Sequence, residues 1–114
     1  MQGIALEHLG RTTVLRCNRT LTVDHVQEFM NLFATLVQRQ EMERIMFVFS
    51  PDSRLDASGI GVLVQMHAIL VGSEKRLYLC MPPPHVVEML KDLGLNTFLR
   101  ILTSDEDLLL RLPD

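Results

Sequence analysis

The hydrophobic positions of this chain change their period several times, and each change marks an element. Ile4 to Leu9 and Thr12 to Cys17 are short, largely apolar runs on either side of Gly10-Arg11, and they predict an antiparallel strand pair closed by a tight turn. After Thr22 the period lengthens. In "VDHVQEFMNLFATLVQRQ", Val26, Phe29, Met30, Phe33 and Val37 recur at helical spacing, with Asp24 and Glu28 placed early, where acids suit the helix dipole. "RIMFVFS" (Arg44 to Ser50) is a continuous apolar run stopped by Pro51-Asp52-Ser53, as expected of a central strand buried on both faces. Ile60 to Val71 is apolar almost all round and longer than an ordinary strand, which predicts a buried helix ending near Gly72. "RLYLCM" predicts the next strand. Pro84 suits the first position of a helix through "HVVEMLKDLG", with Gly94 as its stop. "FLRIL" predicts a short last strand, and Ser104 with Asp107 three residues later has the form of a capping box opening a final helix, "DEDLLLRL".

The resulting order, β-β-α-β-α-β-α-β-α, predicts an α/β fold with a small mixed, mostly parallel sheet, right-handed crossovers and flanking helices. No linker, repeat or charge block divides the 114 residues, so one domain over 1–114 is expected. The net charge of −3 argues against a generic nucleic-acid binder, which carries a basic surface. "MQGIALEHLGR" has no basic start followed by an apolar core, and the longest apolar stretch is interrupted by Gln65 and His67 and is too short for a bilayer. A cytoplasmic address without membrane insertion follows. Cys17 and Cys80 are expected as buried free thiols. His8, His25, His67 and His85 show no metal-ligand spacing, and no cofactor is implied.

Candidate chemistry concentrates in "RLDASGIGVLV", Arg54 to Val64. Glycine in a helix costs about 1 kcal/mol relative to alanine, so Gly59 and Gly61 are poor choices for opening an apolar helix. The segment leaves the central strand at its carboxyl end, where functional surface gathers in open α/β sheets. Asp56 is placed as an N-cap for the amide of Ser58 or Gly59, which leaves the Ser58 hydroxyl free to face water. A phosphate on Ser58 would meet the unpaired amides and partial positive charge of a helix N-terminus, and would add to the negative charge of Asp56. Gly59 and Gly61 would let another protein approach closely. Serine in a D-x-S-G helix start is most often only a cap or turn residue, so the pattern alone leaves a structural role open. It is no nucleotide loop: there is no G-x-x-x-x-G-K-[ST], and "DASGIG" lacks the spacing of a dinucleotide fingerprint.

The wider context narrows the choice. "LDASGIGVLV" after a strand, with "RIMFVFS" before it, "RLYLCMPPPHVVEMLKDLGL" after it and "FLRILTSDEDLL" at the end, resembles the STAS family, its bacterial anti-sigma factor antagonists in particular. The resemblance implies that Ser58 is the phosphoacceptor of a partner anti-sigma factor acting as a serine kinase, that phosphorylation weakens binding to that partner, and that a phosphatase restores it. It further implies a partner-binding surface formed by Thr22, Asp24 and the run Arg54, Leu55, Asp56, Ala57, Ser58, Gly59, Ile60 and Gly61, with no catalytic residue. The chain departs from the family where "CNRTLTVD" replaces a glycine and an acid after the second strand, where Val48-Phe49-Ser50 replaces Asp-Leu-Ser, and where Asp52 and Arg54 replace apolar residues. Arg54 reads as a solvated loop charge or as a selectivity residue.

Two other readings remain at this level. One is a STAS subunit of another assembly, such as a lipid-transport complex, that docks without a phosphorylation cycle. The other is an enzyme using Ser58 as nucleophile, which would need a base that no local His/Asp arrangement supplies. His67, on the apolar helix, is expected as a hydrogen-bonded core residue. The pattern leaves the oligomeric state open, a homodimer included.

Overall fold

The computed structural model describes residues 3–18, 20, 21 and 23–102. Thr22 and the expected helix "DEDLLLRL" lie outside the described residues. The first strands, β1 (Ile4–Leu9) and β2 (Thr12–Cys17), form the antiparallel pair read from the sequence. Gly10 takes φ +60° in the turn, a left-handed conformation that glycine adopts without steric cost. A two-residue strand follows, β3 (Thr20–Leu21), then a 3-10 turn at Val23–His25 and helix α1 (Val26–Val37). The helical pattern that begins at Val23 therefore opens with a tighter turn and becomes α-helical at Val26.

The chain continues through β4 (Arg44–Phe49), another two-residue strand β5 (Arg54–Leu55), α2 (Ala57–Gly72), β6 (Arg76–Cys80), α3 (Pro84–Asp92) and β7 (Arg100–Leu102). The five-stranded sheet has the order β1-β2-β4-β6-β7, antiparallel only at β1–β2. All six residues of β4 are buried, as a strand covered on both faces requires. Phe47 and Leu79 face the helices and pack with Phe29 and Phe33 of α1, Leu63 and Met66 of α2, and Val86 and Leu90 of α3. Val14, Met46, Val48, Tyr78, Cys80 and Leu102 form a second buried cluster. α3 starts with Pro84 after the extended residue Pro83. It stops at Gly94, whose φ of +72° supports a Schellman close: Gly94 N–H donates to the Lys91 carbonyl at 3.0 Å, and Leu95 N–H to Leu90 at 2.7 Å.

The short strands β3 and β5 carry no periodicity and were not anticipated. They pair in parallel, Thr20 opposite Arg54 and Leu21 opposite Leu55, as a separate two-stranded sheet. This small sheet ties the chain before α1 to the chain before α2. It therefore sets where the two helix starts lie.

Candidate functional site

The loop leading to α2 is held from beneath by Ser53, which is fully buried. Its hydroxyl donates to the Cys17 carbonyl at the end of β2 (2.6 Å) and accepts from the Ser50 amide just beyond β4 (3.0 Å). Both sheet strands thus clamp one loop residue. Leu55 is buried beyond it and Arg54 is exposed, so β5 turns one side chain inward and offers the other to solvent.

Asp56 is the N-cap of α2. Its backbone is extended, its Oδ1 accepts from the Gly59 amide at 3.0 Å, and its carbonyl accepts from Ile60 N–H at 3.1 Å. The Ala57 and Ser58 amides lie in the first turn, where a helix has no carbonyl of its own to offer them. Ser58 is partly exposed there, two residues after the cap. Among the described residues, no hydrogen bond joins Ser58 Oγ to a histidine or a carboxylate.

Of the other residues expected at the surface, Asp24, Ala57 and Gly61 are exposed, whereas Gly59 and Ile60 are buried and support the turn from within. A side chain added at Gly61 would meet no atom within 4 Å. The fold does not need a glycine there. Beside Gly61 an open groove of about 420 Å³ runs between the two helices, lined by Val26 and Gln27 of α1 and by Ser58, Gly61, Val62 and Gln65 of α2.

Gln27 and Gln65 were not singled out from the sequence, although Gln65 lies at helical spacing from Gly61. The same spacing extends the outer face of α2 through Ala57, Gly61, Gln65, Ala68 and Gly72, all exposed. No residue of α2 is Asp, Glu, Lys or Arg, so this face is small and uncharged along its length.

His67 differs from its expectation. It is half-buried, its Nδ1 has no hydrogen-bond partner, and its ring packs edge-on against Phe98 at 4.7 Å between centroids. Burial, with the charge of Arg100, holds its pKa below the usual histidine value. An aromatic contact from the loop before β7 stands where a polar partner was expected, and sequence spacing could not show that loop's approach. Cys17 and Cys80 are free and buried, and burial pushes the Cys80 thiol up to about 12. Among the described residues, no cluster of His, Cys, Asp or Glu is arranged to hold a metal ion, and no helix is long and apolar enough to cross a membrane.

Comparison with solved structures gives full-length matches of the same architecture. The anti-sigma factor antagonist SpoIIAA in its unphosphorylated form aligns with a TM-score of 0.69 and 20% identity, over 95% of this chain and 96% of that one. A candidate anti-sigma factor antagonist from Thermotoga maritima aligns with a TM-score of 0.85 and 16% identity, over 99% and 97%. The phosphorylated form of the Bacillus cell fate determinant SpoIIAA aligns at 0.66 and 22%, over 92% and 96%. At these identities the likeness is one of fold. No curated protein matches the sequence significantly. The STAS domain profile matches residues 3–108, which takes in every strand and helix described above and the Asp56-x-Ser58-Gly59-x-Gly61 turn. The chain belongs to the STAS domain family.

Proposed function

We propose that this protein is an anti-sigma factor antagonist, a binding switch in which the outer face of α2 docks an anti-sigma factor and phosphorylation of Ser58 releases it. The observation that carries the reading is the position of Ser58: partly exposed, in the first turn of an uncharged helix, at the rim of the groove between α1 and α2. A phosphate there adds a charge of about −1.5 to −2 next to the Asp56 carboxylate. The free first-turn amides tolerate that charge within the folded chain, while a partner surface brought against it would have to desolvate it. The switch therefore acts on binding and leaves the fold in place.

The chain itself supplies no catalysis in this account. The kinase is the anti-sigma factor, and a separate phosphatase resets the serine. Incubation with the cognate kinase and ATP, followed by mapping of the phosphopeptides, tests the assignment. Label on Ser58 is the expected result. Label on Ser53 would contradict it, because that hydroxyl is buried and engaged with Cys17. Absence of any label, with the docking face still binding a transporter subunit, would instead favour a STAS component of a lipid-transport assembly.

A further inference from the structure

A second candidate site lies at the carboxyl ends of the parallel strands, away from Ser58. Two adjoining depressions share Phe49 and Met81. One, of about 340 Å³, has walls made by Phe49, Pro51, Met81, Pro82, Pro83 and Pro84. The other, of about 310 Å³, continues past Val48 to Arg16, Asn18 and Ser50. Volumes of this order are those of small-molecule sites, and such sites are apolar with a few polar groups at one end.

Three observations indicate what would bind. The proline wall is rigid, because each ring fixes its own φ and little conformational freedom remains to be lost on binding. Met81, which joins the two depressions, holds φ +53°, a left-handed conformation that costs energy for a side chain of its size, and such strain gathers at ligand sites. Its amide donates to the Leu102 carbonyl at 2.7 Å, which ties the strained residue to β7. At the opposite end Arg16 is exposed and forms no ion pair with a described residue. Its strand register sets it in one row with Val48 and Cys80. The Ser50 hydroxyl donates to Asn18 Oδ1 at 3.0 Å beside it, which adds a polar rim.

We propose that this cleft binds a small amphipathic anion, an alkyl carboxylate whose headgroup pairs with Arg16 and whose chain lies along Phe49, Met81 and the prolines. Two strand spacings separate β2 from β6, about 10 Å, which suits a chain of about eight carbons. The site is independent of Ser58 and of the partner assigned to it.

The test is titration of the full chain with octanoate, followed by backbone amide shifts. Saturable shifts at Asn18, Ser50, Phe49 and Met81 are expected in the millimolar range, with octanol weaker and acetate without effect. Arg16→Gln should weaken octanoate about tenfold, the loss of one charge-assisted contact, while Arg16→Lys retains most of the affinity. Spectra of the free variants, unchanged away from residue 16, establish that both are folded. Octanoate shifts confined to the α1–α2 groove, shifts indifferent to Arg16→Gln, or no saturable shift would each overturn the proposal. So would selective uptake of an acidic, leucine-containing peptide by a cleft that ignores octanoate, which would make it a protein-docking surface.

Discussion

α1 and α2 pack side by side on the same face of the sheet, yet they treat their outer surfaces in opposite ways. α1 buries Phe29, Phe33 and Leu36 and turns Gln27, Glu28, Asn31 and Thr35 to water, with Gln27 donating to Asn31 at 3.0 Å. That is an ordinary amphipathic helix, and solvent satisfies its outer face. α2 buries Ile60, Val62, Leu63, Met66 and Leu70, but its exposed positions are Ala57, Gly61, Gln65, Ala68 and Gly72, with Ile69 and Val71 also open to solvent. Folding accounts for the inner face of both helices. It accounts for the outer face of α1 alone, and the uncharged outer face of α2 is the part on which the proposed docking rests.

That contrast can be broken from the inside first. Leu63 is fully buried on α2, so Leu63→Ala should cost about 2–5 kcal/mol through lost burial and the cavity left behind. Chemical denaturation measures it, and a loss below about 1 kcal/mol would show that the inner face of α2 is less tightly packed than described. A smaller effect is expected at the cap. Asp56→Ala removes the acceptor of the Gly59 amide and should cost about 1 kcal/mol in the same assay.

The outer face should give the opposite sign. Gly61→Ala enters open space in a helix and should stabilise the fold by up to about 1 kcal/mol while weakening partner binding. Stabilisation with unchanged binding would show that the partner does not come close at Gly61.

The smallest expected effect is at His67, on the same helix but half-buried against Phe98. Its folded pKa is lowered, so above the unfolded value near 6.5 both states are neutral and stability is fully present. As pH falls through the folded pKa, the unfolded chain binds the proton more readily and stability declines. Comparing wild type with His67→Gln in denaturant melts between neutral and mildly acidic pH isolates this contribution. A stability difference that does not change with pH would remove it.

Much of this architecture could be read from the sequence, because its elements have a period. The Asp56 cap and the Pro84 and Gly94 boundaries were also legible, since each rests on a local chemical rule. The β3–β5 pair was not, because strands of two residues have no alternation to detect. That gap matters for the site: Asp24 and the Arg54–Gly61 run are far apart in sequence, and the Thr20–Arg54 and Leu21–Leu55 pairing is what brings their neighbourhoods together. The Pro51-Asp52-Ser53 stop marks the end of a strand in the sequence, but nothing local shows that the Ser53 hydroxyl finds its partners at the ends of two strands. The groove flank formed by Val26 and Gln27 depends on how α1 lies against α2, a tertiary relation no single helix encodes.

The central claim, that charge on Ser58 controls docking at the outer face of α2, is tested most directly by calorimetric titration of the anti-sigma factor partner. Wild type, Ser58→Ala and Ser58→Asp are compared at one salt concentration. Ser58→Ala should bind like wild type, since Asp56 still caps the helix. Ser58→Asp should lose about 2–5 kcal/mol, roughly thirty- to several-thousand-fold in affinity, by placing an unpaired charge beside Asp56 in a desolvated contact. Equal affinity for all three proteins would contradict the account.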